Sequence, residues 1–272
     1  VAIKLIATDL NGTLLRGDQS YHQERLQRVL NALQAQGIQL ALTSGNQYAH
    51  LKALFATIEA DNLVMVAENG ASIYQQAVQL FDGSLSAATV NQFITVDRKQ
   101  ALFKNTYLIL VGAQGSYTEI GAPKALLKAA KQFYDNLQEV PSLATVTDKI
   151  KKISVSTTPA AASELVASLN TTFAGRLVAH DSGYGVIDLV ASNVGKLPAV
   201  QWLAKRFGLA ADEIMAFGDG DNDVPLLQYA GLGVAMRNAP AKIQAVANQI
   251  TALDNEHDGV LDSIESLVLN KA

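Results

Sequence analysis

Lys4-Leu5-Ile6-Ala7-Thr8-Asp9-Leu10-Asn11-Gly12-Thr13-Leu14 is an apolar run that ends in an acid and breaks at once into an Asn-Gly turn. A short run of this kind reads as a strand buried on both faces, the habit of parallel sheets. Asp9 then stands at the carboxyl end of that strand, where open α/β sheets place their ligands. A carboxylate held there beside a hard cation can attack phosphorus and carry it as an aspartyl-phosphate.

The pattern continues outward from this strand. Residues 3–8, 38–43 and 63–67 read as short apolar strands. Residues 22–35 and 48–58 read as helices, with Leu26, Val29, Leu30 and Leu33 at helical spacing and Gly37 where the first should end. Near the C-terminus helices are expected over 197–207, 224–229 and 240–247, and strands over 214–217 and 233–235. This alternation predicts an α/β fold with a doubly wound parallel sheet.

The middle of the chain has another texture. Strands over 107–112, 116–120, 152–156 and 177–180 pattern as a half-exposed sheet, and helices over 122–136 and 160–170 are amphipathic. We read residues 84–189 as an α+β domain inserted into a core formed by 1–83 and 190–272, because each outer half looks incomplete alone.

Composition bounds the function. The chain has 272 residues, no cysteine and a formal net charge of −4. Its length allows a large core, and the lack of cysteine excludes a disulfide framework and a thiolate metal site. With no basic stripe, a nucleic-acid partner is not expected. No apolar run approaches the roughly 18 residues that cross a bilayer, and no signal-peptide pattern opens the chain. A cytoplasmic protein without a membrane partner is expected, as a monomer or weak homo-oligomer.

Four pieces of sequence fall at the ends of core strands. They are Asp9 with its Asn11-Gly12-Thr13 turn; Thr43-Ser44-Gly45-Asn46; Lys196, after a returning strand over 186–190; and Gly218-Asp219-Gly220-Asp221-Asn222-Asp223. A phosphoryl group and several carboxylates repel unless Mg²⁺ bridges them, and Mg²⁺ takes octahedral oxygen ligands. Asp9, Asp219 and the Asn11 backbone carbonyl can supply such oxygens. Ser44 and the amides of the Asn11–Thr13 turn can bond phosphoryl oxygens, and Lys196 brings positive charge to the transition state. Asn222 and Asp223 are placed to steady the phosphate and the metal waters.

In order and spacing these pieces resemble the four motifs of the haloacid dehalogenase-like superfamily, and the inserted middle resembles its cap. The phrases Thr43-Ser44-Gly45-Asn46-Gln47, Ala67-Glu68-Asn69-Gly70-Ala71 and Gly218–Asp223 look most like the Cof-type sugar-phosphate phosphatases with a C2B cap. That resemblance implies a Rossmann-like core and a Mg²⁺-dependent phosphatase of small phosphorylated metabolites. It implies Asp9 as nucleophile, Lys196 as cationic stabiliser, and Ser44, Gly45, Gly12, Thr13 and Asn222 around the phosphate. Asp9, Asn11, Asp219 and Asp223 would hold or support the metal.

Asn11 departs from the family pattern, which has an acid there to protonate the leaving alcohol and then activate water. An amide exchanges no such proton, so both half-reactions should slow, while metal binding through the backbone carbonyl should persist. Three origins stand open: an engineered change that traps a ligand, a natural one with weak activity or another proton relay, and an error or slow interconversion at the Asn-Gly pair. Two other functions stay open with it, a non-catalytic phosphometabolite-binding protein and a phosphomutase-type transferase.

Plainer readings apply to several of these residues. Ser44 could cap the next helix while binding phosphate. Asp219, Asp221 and Asp223 do not form an EF-hand loop, because Val224 and Ala230 stand where glycine and glutamate are needed. No P-loop sequence is present. His22, His50, His180 and His257 lack metal-ligand spacing. The loop 180–185 is open between a hairpin turn and a specificity loop.

Overall fold

The computed structural model describes residues 2–99, 106–131, 134, 136–183 and 185–271. In chain order the first part contains β1 (Leu5–Asp9), α1 (Gln23–Ala35), β2 (Gln39–Thr43), α2 (Tyr48–Leu54), β3 (Leu63–Ala67), β4 (Ser72–Gln75) and β5 (Val78–Asp82). The middle contains α3 (Ala87–Lys99), β6 (Tyr107–Gly112), β7 (Ser116–Glu119), α4 (Lys124–Ala130), β8 (Leu137–Val140), β9 (Ile150–Ser156), α5 (Pro159–Thr172), β10 (Leu177–Asp181) and β11 (Val186–Ala191). The last part contains α6 (Lys196–Phe207), β12 (Ile214–Gly218), α7 (Val224–Tyr229), β13 (Leu232–Ala235), α8 (Ala241–Gln244), β14 (Gln249–Ile250) and α9 (Gly259–Leu267).

The strands form two sheets. The core sheet has the order β14-β13-β12-β1-β2-β3-β4-β5 and is parallel from β14 to β3, with β4 and β5 added as an antiparallel hairpin. Its central strand is β1, whose Leu5, Ile6 and Ala7 are wholly buried, as the apolar run requires. α1 turns Leu26, Val29, Leu30 and Leu33 into the same core, and the chain leaves that helix through Gly37 at φ 69°.

Because β1 pairs with β12 on one side and β2 on the other, the chain reverses its winding direction there. Such a switch point opens a crevice at the carboxyl ends of the strands. The registers Asp9↔Thr43 and Thr8↔Phe217 bring those ends to one level.

The cap sheet has the order β10-β11-β9-β6-β7-β8 and is antiparallel except for the β7–β8 pair. α3 and α5 cover one face, where Phe93, Leu165, Leu169 and Phe173 pack with Leu110, Ile153, Val155 and Leu189. α4 and Tyr134 cover Ile109 and Val111 on the other face. Beside them His180, Asp188 and Ser154 stand opposite one another across β10, β11 and β9, with Lys152 two residues along β9 on the same face. Side chains two apart share a face of a strand, so these four form one polar surface.

Several expectations shift at their edges. β11 runs to Ala191, two residues past the expected boundary at 189. The helix expected over 122–136 spans Lys124–Ala130, and residues 132, 133 and 135 lie outside the described part. The helix expected over 240–247 ends at Gln244, because the Asn248 amide bonds the Gly233 carbonyl at 2.8 Å and draws the chain toward β14. The β4–β5 hairpin, α3 and α9 were not expected. Among the described residues no helix is long and apolar enough to cross a membrane.

Candidate active site

The crevice gathers side chains from four strand ends. β1 delivers Asp9; β2 delivers Ser44 one residue beyond its end; β12 delivers Asp219 in the same way. Lys196 opens α6, which follows β11 out of the cap. Its Nζ donates to Asp9 Oδ1 at 2.5 Å and to Asp223 Oδ1 at 2.7 Å. The other Asp223 oxygen accepts from the Asp219 and Gly220 amides, both at 3.1 Å, so Asp223 is held on every side and is 1% exposed.

Asp219 is fixed differently. Thr13 Oγ1 donates to its Oδ1 at 2.9 Å, while the Thr13 amide closes the turn on the Leu10 carbonyl at 3.1 Å. The second oxygen of Asp219 packs against Gly12, where a Cβ would come within 2.4 Å, and Gly12 has φ 74°. Glycine suits the turn on both counts, since a side chain there would be strained at that φ and would displace the Asp219 carboxylate. Asn238 Nδ2 donates to the Gly12 carbonyl at 2.8 Å and braces the turn from outside.

Charge in this crevice is unbalanced. Asp9, Asp219 and Asp223 bring ligand atoms within 4.8 Å of one another, and the Lys196 ammonium pairs with two of them, Asp9 and Asp223. Burial pushes Asp9 up to about 7; Lys196 opposes that rise, and Asp223 and Asp219 reinforce it. Asp219 is also raised, by burial and by Asp223. Burial disfavours the Lys196 ammonium, but Asp223 and Asp9 outweigh it and hold the proton firmly. Such displacements mark sites arranged for chemistry or for a cation. An all-oxygen donor set with surplus negative charge fits a hard divalent ion.

Next to the acids lies the loop Ser44–Gln47. The Ser44 amide donates to the Val66 carbonyl at 2.9 Å, and its Oγ accepts from the Asn46 amide at 3.1 Å. Ser44 therefore does not cap α2, whose first residue Tyr48 instead donates its amide to Glu68 Oε1 at 2.7 Å. Glu68, Asn69 and Gly70 have φ of 49°, 56° and 95°, three left-handed residues in succession. The turn persists because its amides bond back: Glu68 to the Asn46 carbonyl and Asn69 to the Ser44 carbonyl, each at 2.9 Å. Strain of this kind survives only where the surroundings over-determine it.

The haloacid dehalogenase-like hydrolase model matches residues 6–264. The chain belongs to that family. A 5-amino-6-(5-phospho-D-ribitylamino)uracil phosphatase of Escherichia coli, YbjI, is 31% identical over all of this chain and 98% of its own length. A phosphoglycolate phosphatase of Methanopyrus kandleri is 26% identical, with 97% of each chain covered. Among solved structures, SMU.1108c of Streptococcus mutans superposes with TM-score 0.91 at 30% identity, over 98% of this chain and 99% of that one. The subclass IIB sugar phosphatase BT4131 shares the fold, with TM-score 0.78 at 20% identity over 98% and 99% of the two chains.

In this haloacid dehalogenase-like hydrolase, Asp9, Ser44, Lys196, Asp219 and Asp223 converge from their separate motifs. Asn11 is exposed at the rim, Gly45 lies in the Ser44 loop, and Asn222 is exposed beside Asp223. Asp221 points outward, paired with Lys242 at 2.6 Å. The loop 180–185 is the hairpin joining β10 to β11, with the Ser182 amide bonded to the Val186 carbonyl at 2.8 Å; Tyr184 lies outside the described residues. Sequence reasoning missed Lys152 and Asp188. The alternation Lys152-Ile153-Ser154-Val155-Ser156 did announce a polar face on β9, but not that the core covers it.

Proposed function

We propose that this hydrolase is a Mg²⁺-dependent phosphatase of small phosphorylated metabolites, phosphorylated sugars and sugar alcohols being the expected class. The observation that carries the reading is Asp9 at the switch point, bonded to Lys196 and grouped with Asp219 and Asp223. The substrates in the names of YbjI and the Methanopyrus enzyme are both small phosphorylated molecules, which supports the class.

Asp9 attacks phosphorus, the P–O bond to the alcohol breaks, and an aspartyl-phosphate forms; water then displaces Asp9 and releases phosphate. Lys196 meets the charge that develops on the transferring oxygens, with Ser44 and the Asn11–Thr13 turn bonding them from the side. Gly45 allows close approach, and Asn222 reaches the phosphate from the rim. Asp9, Asp219 and the Asn11 carbonyl would hold Mg²⁺, with Asp223 supporting them. When bound, the ion neutralises the carboxylates and the phosphate they face. The residues 84–189 work as a cap over a core of 1–83 and 190–272 and select the leaving group. We assign the protein to the cytoplasm, as a monomer or weak homo-oligomer.

Asn11 lowers the rate, because no acid stands there to protonate the leaving oxygen. The test is phosphate release with Mg²⁺ from a panel of sugar phosphates, phosphoglycolate and 5-amino-6-(5-phospho-D-ribitylamino)uracil, comparing this chain with Asn11→Asp. The variant should gain about 10²-fold or more. If both are inert while one binds a phosphorylated compound, the protein is a phosphometabolite binder. Asn11 favours that second reading; the retained Asp9–Lys196 pair weighs against it.

A further inference from the structure

We propose that Lys152 and Asp188 of the cap are positioning residues for the phosphate loop Ser44–Gln47, so that the loop is completed only when the cap is docked. This rests on the phosphatase reading of that loop. Lys152 Nζ donates to Asp188 Oδ2 at 2.7 Å and, across the boundary, to the Gly45 carbonyl at 3.0 Å. Asn69 Nδ2, from the strained core turn, donates to the same Asp188 oxygen at 3.0 Å. Ser116 Oγ on β7 reaches Gln47 Oε1 at 3.4 Å. Lys152 and Asp188 are 4% and 3% exposed.

The three contacts that cross the boundary, at Gly45, Asn69 and Gln47, each meet either the loop or the turn that braces it. Asn69 packs so close to Gly45 that a Cβ there would lie 2.9 Å from its Oδ1, and its amide already holds the Ser44 carbonyl. Asp188 is otherwise satisfied inside the cap, by Ser154 Oγ at 2.5 Å and Ser182 Oγ at 3.0 Å. A buried ion pair is weak evidence for a purely stabilising role, because an apolar pair of similar volume often does as well. Its reach across the boundary to a backbone carbonyl is what an apolar pair would lack. Withdrawal of the cap would strip Gly45 of its ammonium and Asn69 of its carboxylate. Cap docking and phosphate affinity are therefore linked, each strengthening the other.

The experiment is titration calorimetry of inorganic phosphate with Mg²⁺, with thermal melts to establish that each variant is folded. Lys152→Met combined with Asp188→Leu removes both charges and leaves neither buried alone. Asn69→Gly removes the amide donor while suiting φ 56°, and serves if the paired variant does not fold. Both should raise the phosphate Kd, the paired variant by at least about tenfold, as loss of a bond to a charged group implies. In substrate assays KM should rise more than kcat falls. An unchanged phosphate Kd in a folded variant would overturn the proposal. The reading reports binding and not turnover, so an unaltered chain that binds phosphate but hydrolyses nothing sinks the phosphatase reading alone. An unaltered chain that binds no phosphate sinks both.

Discussion

Lys196 in the core and Lys152 in the cap are both buried lysines bonded to an aspartate, at 2.5 and 2.7 Å, yet the surroundings displace the pKa values of the two aspartates in opposite directions. Burial pushes Asp9 up to about 7, and its lysine is shared with Asp223 while Asp219 stands nearby. Asp188 meets the same burial, but Lys152, Ser154 and Ser182 together draw it below the ordinary carboxylate value. The same pair of residue types thus makes a cluster poised to receive something and a cluster already complete. What separates them is the count of charges and donors around the acid, not its depth.

The largest effect expected from this contrast is on turnover. Asp9→Asn should abolish phosphate release, by at least about 10⁴-fold, while the metal-free melting temperature holds or rises as a crowded charge disappears. Asp188→Asn should do the reverse, lowering stability clearly while retaining measurable turnover. A fall in melting temperature for Asp9→Asn as large as that for Asp188→Asn would erase the distinction between the clusters.

Next in size is the stability of the cap cluster itself. Lys152→Met alone leaves Asp188 charged and buried, which should cost about 3–5 kcal/mol in denaturant unfolding. Adding Asp188→Leu should recover most of that loss, because the uncompensated charge is gone. If the paired variant is no more stable than the single one, the cost lies in packing against Tyr134, whose ring centroid is 5.6 Å from Lys152 Nζ, and not in charge.

The two clusters also differ in how far the sequence revealed them. The core cluster was legible because each member ends an apolar strand or opens the helix after one: Asp9 after Leu5–Thr8, Asp219 after β12, Lys196 at the start of α6. Alone, each acid at such a point is most simply a turn or helix-cap residue; their recurrence at strand ends, together with Lys196, is what marked them. Lys152 and Asp188 lie inside strands, where alternation marks a polar face but gives no hint that Gly45 and Asn69, more than 80 positions away, will cover it. The β4–β5 hairpin was hidden for a local reason: Gln75, Gln76 and Gln79 carry little apolar signal, and its turn puts Gln76 and Ala77 at φ 48° and 61° where glycine or asparagine would have announced it. For the cap cluster the missing information was tertiary.

The smallest effect is also the sharpest comparison, because pH should act on the clusters with opposite sign. Asp188 has a folded-state pKa below its unfolded value, so its contribution is present above the usual carboxylate range and is lost as pH falls through the folded value. Asp9 has a folded-state pKa raised from 3.8 to about 7, so in the metal-free chain stability is lost as pH rises across that window. On the proposed reading Mg²⁺ would bind the ionised carboxylates and offset their mutual repulsion. At a hundredfold excess over Kd it should stabilise the chain by about 2–3 kcal/mol above neutral pH, and by much less near pH 5, where Asp9 keeps its proton. Thermal melts with Mg²⁺ or chelator at both pH values measure the difference, and Asp9→Asn should flatten it. Equal stabilisation at the two pH values would mean that the ion is not held by Asp9, and the core cluster would lose its claim to be the incomplete one.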